Sequence, residues 1–102
     1  MNKQPVPELG QIVKVLRGSD PEQYAVIIAI VDSRFVLLAD GNKRKFDRPK
    51  KKNIMHLQMY ESISSEVVAS IQESGRVTNA KLRHVIAKFI ENLQAEAHEK
   101  GE

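Results

Sequence analysis

The sequence contains no cysteine and no tryptophan, and its aromatic residues are two tyrosines and three phenylalanines among 102 residues. Without cysteine, the chain can form no disulfide framework, thiolate nucleophile or sulfur-liganded zinc site. The longest apolar run, from Tyr24 to Val31, is far shorter than the about 20 residues of a membrane-spanning helix. The first ten residues lack the apolar core of a signal peptide. We therefore expect a cytoplasmic protein with no membrane partner.

Residues that could support catalysis are few, and their spacing does not favour it. No two of the three histidines, His56, His84 and His98, have metal-ligand spacing. Ser64 and Ser65 precede a helical pattern and are interpreted as N-terminal caps of a helix. The glycine-containing loops match neither a P-loop nor a dinucleotide fingerprint. We predict that the protein is not an enzyme and that it binds no metal and no cofactor.

Positive charge is concentrated in the first part of the chain. Residues 1–60 hold eleven Lys or Arg against six Asp or Glu, whereas residues 61–102 hold five against seven. The densest stretch is GNKRKFDRPKKKN, residues 41–53, with seven Lys or Arg and a single acid, Asp47. Such clustering in a small protein points first to a nucleic-acid partner. The alternative interpretation is a solvated loop that serves solubility.

The spacing of apolar residues predicts a β-rich first part. Alternation, β-branched runs and the Asp40-Gly41 turn signal favour five strands. These strands are expected at residues 11–18, 23–32, 33–40, 43–46 and 54–60. Five short strands joined by short turns predict a small barrel over residues 8–60. The two prolines within residues 1–7 indicate a flexible tail.

After Tyr60 the apolar period changes from two to 3.6, which predicts two helices over residues 61–98 and a frayed tail over residues 99–102. Gly75 is placed to end the first helix, and Thr78 or Asn79 to begin the second. The second helix carries an apolar stripe of Leu82, Val85, Ile86, Phe89, Ile90 and Leu93. We expect both helices to pack on each other and on the barrel. The alternative is that the stripe binds a protein partner or a second copy in a homodimer.

The basic segment has a physical use if it is extended. In a strand over residues 43–46, Lys43 and Lys45 would point to one side. Pro49 disfavours a central strand and favours an extended presentation of residues 50–52, all lysines. Cations at this spacing can neutralise successive phosphates and release their counterions. Phe46 is expected either to stack on an unpaired base or to pack inside the fold.

Three stretches between Glu8 and Leu57 resemble the KOW family of RNA-binding modules: LGQIVKVLRGSD, YAVIIAIVDSRFVLLADG and RPKKKNIMHL. The likeness covers about half of the chain. In these stretches the chain is similar to small bacterial KOW proteins, which are themselves akin to KOW-bearing ribosomal proteins of the archaeal and eukaryotic large subunit. The resemblance implies an SH3-like small β-barrel that binds structured RNA, typically ribosomal RNA. In that family the loop after the first strand and nearby basic loops make the contacts.

Together, the resemblance and the charge pattern predict an RNA-binding set. Its members are Arg17, Gly18, Ser19, Lys43, Arg44, Lys45, Arg48, Lys50, Lys51, Lys52 and Asn53. Many KOW proteins have glycine where this sequence has Glu22, and an acid there keeps a phosphate from the backbone. The basic segment is therefore a stronger candidate for the RNA contact than the loop after the first strand. The predicted function is therefore RNA binding in association with the ribosome. The alternative is an SH3-like module that binds an acidic protein partner.

Overall fold

The structure is a computed structural model that describes residues 6–18 and 22–100, with side chains described as far as residue 96. Ser19 of the predicted RNA-binding set, the His98 side chain, residues 1–5 of the predicted tail and residues 101–102 lie outside the described residues. Pro7, the last residue of the predicted tail, is buried. The elements are β1 (Gln11–Val15), β2 (Tyr24–Ile30), β3 (Phe35–Ala39), β4 (Lys50–Asn53), β5 (Leu57–Ile63), α1 (Ser65–Ser74) and α2 (Asn79–Lys100).

The strands form one antiparallel sheet in the order β4-β3-β2-β1-β5. Successive side chains of a strand point to opposite faces, and both faces of this sheet are apolar. One face carries the inner core, made of Val13, Val15, Ala25, Ile27, Val36, Leu38, Ile54 and Leu57. The other carries the helix-side core, in which Ile12, Val26, Ile28 and Ala39 meet Val67, Val77, Leu82, Val85 and Ile86. The unbroken apolar run of β2 is explained by burial on both faces.

The sheet is strongly curled because a very short connection joins its two edge strands. A one-turn 3-10 helix, Ile54–His56, is the whole link between β4 and β5. Four residues of extended chain reach at most about 14 Å, so the end of β4 lies close to the start of β5. The Ile54 amide donates to the Arg34 carbonyl (2.8 Å), and the Leu16 amide donates to the His56 carbonyl (2.9 Å). The connection is thereby fixed to both sides of the sheet.

The predicted barrel is confirmed only in a coarser form. The described residues form a five-stranded antiparallel sheet followed by two helices, and among them β4 and β5 do not pair, so the sheet is not closed. β1 ends at Val15, before the predicted Gly18. β5 starts at Leu57, after the 3-10 turn, and continues to Ile63. Residues 61–63, predicted in the helical part, therefore belong to the sheet, and α2 extends to Lys100, into the predicted tail.

The predicted strand over residues 43–46 is wrong. Residues 41–49 form turns, and the strand that returns along β3 is β4, which begins directly after Pro49. The Asp40 Oδ1 atom accepts bonds from the amides of Asn42 (2.8 Å) and Arg44 (2.9 Å) and so folds the loop back on itself. Pro49 is tolerated because it precedes an edge strand, where a missing N–H breaks no ladder.

The two helices begin and end close to the predicted signals. The Ser64 hydroxyl accepts from the Val67 amide and caps α1, and Gly75 ends α1 in the left-handed conformation, with φ of 77°. The Thr78 hydroxyl accepts from the Lys81 amide (3.1 Å) at the start of α2. The first half of the apolar stripe of α2 is buried in the helix-side core. The homodimer through this helix stays a prediction.

Within the described chain, no helix is both long and apolar enough to cross a membrane.

The loop between β3 and β4 is attached to the first turns of α2. The Phe46 amide donates to Asn79 Oδ1 (2.8 Å), and Arg83 Nη1 donates to the Gly41 carbonyl (2.7 Å). Gly41 has a φ of 80°, and a Cβ atom added there would collide with the backbone carbonyl of Asn79. The close approach of loop and helix therefore depends on a glycine at this position.

A pair of glycine substitutions tests this attachment. Gly75 has nearly the same backbone conformation as Gly41, with φ of 77°, but a Cβ there meets nothing within 4 Å. Gly75→Ala should therefore cost about 1 kcal/mol of unfolding free energy, from the left-handed conformation alone. Gly41→Ala adds a backbone collision and should cost at least about 2 kcal/mol. Urea unfolding measures both, and equal costs would show that loop and helix are not in contact.

Candidate nucleic-acid interface

The pairing of β4 with β3 sorts the three lysines of β4 onto two faces. Lys52 lies opposite Val36 and Lys50 opposite Leu38, and both of these apolar partners belong to the inner core. Lys51 lies opposite Leu37, which packs against the helix-side core. Because paired residues share a face of the sheet, Lys50 and Lys52 border the concave inner face, and Lys51 projects from the other side.

A small cavity of about 30 Å³ opens where the inner core reaches this edge. Val15, Ala25 and Leu38 supply its apolar floor, and four cations line it. We call these four side chains the basic cleft: Lys43, Arg44, Lys50 and Lys52. One acid, Asp40, also lines the cavity, and its Oδ1 atom already accepts two backbone N–H groups. Cations gathered over an apolar floor repel one another in a medium of lowered dielectric, which favours binding of an anion.

The loop after β1 reaches the same place. The Lys52 ammonium lies so close to Gly18 that a Cβ atom on this glycine would meet it. Arg17, the preceding residue, is exposed. The structure therefore brings Gly18 of the first loop next to the basic cleft, although the two predicted parts of the RNA-binding set are more than 20 residues apart in sequence.

Other members of the predicted set lie outside the cleft. The Lys51 ammonium lies 4.9 Å from the centre of the Phe35 ring. Amides of Arg34 and Phe35 lower the pKa of the Asp32 carboxyl, and the charge of Lys51 acts in the same direction. Asn53 Oδ1 accepts from the Met55 amide (2.9 Å) and so caps the 3-10 turn. Two further members, Lys45 and Arg48, are exposed in the loop before β4.

The aromatic side chains serve packing. All five are half-buried. Tyr24, Tyr60 and Phe89 form one cluster, with ring centres 4.9 to 6.1 Å apart, that joins α2 to the sheet. Burial raises the pKa of the Tyr60 hydroxyl, and its hydrogen bond with Tyr24 acts in the same direction. Phe46 packs against the helix-side core. The interface therefore offers cations and backbone, and recognition through stacked bases is not favoured.

One contact that matters for the charge of the surface had no signal in the sequence. Arg76 Nη2 lies 2.7 Å from Asp47 Oδ1, and both side chains are about two-thirds exposed, at 64% and 68%. The Arg76 guanidinium also lies 5.0 Å from the centre of the Phe46 ring. Asp47 is the single acid of residues 41–53, so Arg76 cancels the negative charge within the basic segment. The two residues are 29 positions apart, and no local pattern links them.

Glu22 has an unusual backbone. Its φ is 68°, and it is the one non-glycine residue with a positive φ among the described residues. Its amide donates to the Val15 carbonyl (2.6 Å), and its carboxylate lies 3.5 Å from Lys14 Nζ. Glu22 therefore stands, in the conformation that glycine prefers, at the position where the KOW resemblance leads one to expect glycine.

The described residues contain no group of three or more His, Asp or Glu side chains arranged to hold a metal ion.

Comparison with known proteins gives one informative match. No protein-family model matches this chain. The chain is 46% identical over 71 residues to a protein of Bacillus subtilis (strain 168) that bears the name "Putative ribosome-binding protein YbzG". The aligned part covers 70% of this chain and 96% of the relative.

Replacing Glu22 by glycine should stabilise the protein. The left-handed conformation costs a residue with a side chain roughly 1 kcal/mol, and the lost ion pair with Lys14 contributes little because the Glu22 side chain is 79% exposed. We expect Glu22→Gly to raise the unfolding free energy by about 0.5 to 1 kcal/mol in urea titration. Glu22→Ala loses the ion pair but keeps the strain, so it should give no gain; a gain of equal size in both variants would contradict the role of the backbone.

Proposed function

This chain belongs to the family of YbzG, and on that premise we propose that it is a cytoplasmic, ribosome-associated protein that binds structured RNA. The name of the relative supports ribosome binding in the family. The observation that carries the RNA contact is the convergence of Lys43, Arg44, Lys50 and Lys52 on one cleft. The proposal is of a binding protein, with no catalytic step and no cofactor.

The basic cleft acts through charge. The three lysines of the cleft can neutralise about three phosphates, and release of the condensed counterions then drives binding. The slope of log affinity against log salt should be about −3. Gly18 lets the Lys52 ammonium lie close to the backbone of the first loop, so an RNA strand at the cleft also passes Arg17. We assign the contacts outside the cleft, from Lys45, Arg48 and Asn53, to the rim of the same surface.

The proposed partner is ribosomal RNA, recognised through its shape and backbone. The half-buried aromatic side chains disfavour a platform for single-stranded bases. Phosphate contacts alone do not distinguish RNA from DNA, whereas helix geometry and the 2′-hydroxyl do. The sheet order, the single-turn link between β4 and β5 and the basic edge support the finer proposal of a KOW-type module on an SH3-like sheet.

Charge reversal on the two faces of β4 tests the proposal. Lys50→Glu with Lys52→Glu reverses two cleft charges and should weaken binding of a structured ribosomal RNA fragment on the order of 100-fold at low salt. The salt slope should become shallower by about 2. Fluorescence anisotropy over a series of salt concentrations measures both quantities, with a DNA duplex of equal length as the competing ligand.

Lys51 provides the matched control for this experiment. It is a neighbour of both cleft lysines and carries the same charge, but it lies on the other face of β4. Lys52→Glu should weaken binding about tenfold and Lys51→Glu less than about threefold, while circular dichroism shows both variants folded. Equal losses from the two substitutions would rule out the cleft as the contact surface. Unchanged RNA affinity in the double variant would instead favour the module that binds an acidic protein.

A further inference from the structure

Charge is divided along α2. Residues 79–88 carry Lys81, Arg83 and Lys88 together with His84, and they include no acid. Residues 89–100 carry three glutamates and one lysine. The first half of the helix therefore has a formal charge of +3, and the second half has a charge of −2.

This distribution opposes the helix dipole. The N-terminal end of a helix carries partial positive charge, so acids are favoured there and cations at the C-terminal end. The first turn of α2 contains no acid. The helix is instead stabilised by burial of Leu82, Val85 and Ile86 in the helix-side core. Helix stability therefore does not explain the positions of the charges. Departures from such local preferences are expected at surfaces that have a function.

Acids lie near the cations of this half, since Glu22 and Asp40 line the same surface depression as Arg83, and Glu66 lines another with Lys88. Arg83, His84 and Lys88 are exposed. Ion pairs among the described residues join Lys14 with Glu22 and Arg76 with Asp47, and none joins a carboxylate to α2. Arg83 instead donates to the uncharged carbonyl of Gly41.

The first half of α2 and the loop between β3 and β4 form one continuous surface. Gly41 contacts the backbone of Asn79, and the Asn79 side chain accepts from the Phe46 amide. Arg76, three residues before the start of α2, pairs with Asp47 in the loop. Three independent contacts therefore hold the cations of α2 beside those of the loop. The cavity of the basic cleft and the surface depression lined by Arg83 share Gln23, Tyr24 and Asp40, so the two sets of cations adjoin.

We propose that the exposed basic face of α2, formed by Arg83, His84 and Lys88, is a second surface for the phosphates of the RNA that binds the basic cleft. The proposal rests on the proposed function and extends it. At a rise of 1.5 Å per residue, ten residues of helix lengthen the contact surface by about 15 Å. A helix of mixed charge would suit a protein partner, but ten residues without an acid suit a polyanion.

Glutamate substitutions at two exposed alanines of α2 test the proposal. Ala87 lies next to Lys88 and one turn beyond Arg83, and Ala95 lies in the acidic half; both are exposed. Ala87→Glu should weaken binding of the ribosomal RNA fragment about fivefold at low salt, and the difference in affinity should disappear at high salt. Ala95→Glu changes the net charge by the same amount and should weaken binding less than about twofold. Ala87→Lys should strengthen binding.

Thermal unfolding separates a folding defect from a lost contact. Ala87→Glu places a carboxylate four residues after Arg83 and four residues before Glu91, so a favourable and an unfavourable pair offset each other. The variant should therefore unfold at about the same temperature as the unsubstituted protein. Equal RNA affinities of the Ala87→Glu and Ala95→Glu variants would overturn the proposal. If the variant with Lys50→Glu and Lys52→Glu still loses binding in that case, the cleft stands and only α2 is excluded. If neither set changes the affinity, the proposed function fails as well.

Discussion

The shortness of the link between β4 and β5 is the constraint on which the rest of this structure depends. β5 pairs with β1, and β4 pairs with β3 at the far side of the sheet, yet only Ile54–His56 separates the two edge strands. The sheet can satisfy this link only by curling. Curling produces a concave inner face, which Ile54 and Leu57 help to fill. It also brings the Lys52 ammonium beside Gly18, a contact that a flat sheet of the same order would not allow.

A sheet buried on both faces explains why so small a chain needs its helices. The inner core is enclosed by the curled sheet, but the opposite face of β1 and β2 would be exposed to water without α1 and α2. Leu82 is fully buried in that second core, and the aromatic cluster around Phe89 extends it. The helices are therefore part of the same folding unit, and the loop that carries the basic segment is attached to them through Gly41 and Asn79.

The parts of the fold that the sequence predicts are those decided by local chemistry. Ser64 and Gly75 mark the ends of α1 correctly because capping requires only the residue itself and its neighbours. The strand predicted over residues 43–46 failed because the Asp40 side chain binds the loop backbone and outweighs a weak strand propensity. The sequence could predict that basic residues form the site, but it could not predict which of them lie together in the cleft. Which lysines of β4 face inward depends on its register with β3, and the pairing of Arg76 with Asp47 joins residues with no sequence signal between them.

The position of β4 at the edge of the sheet has a consequence for the free protein. One side of an edge strand presents unpaired N–H and C=O groups, which can add a strand from a second molecule and begin aggregation. Three consecutive lysines, Lys50 to Lys52, make up most of β4, and like charges resist such pairing. The lysines for which we propose an RNA contact would thus also protect the free protein from aggregation. Removing their charge to weaken RNA binding would remove that protection, whereas reversing it to glutamate would preserve mutual repulsion between copies.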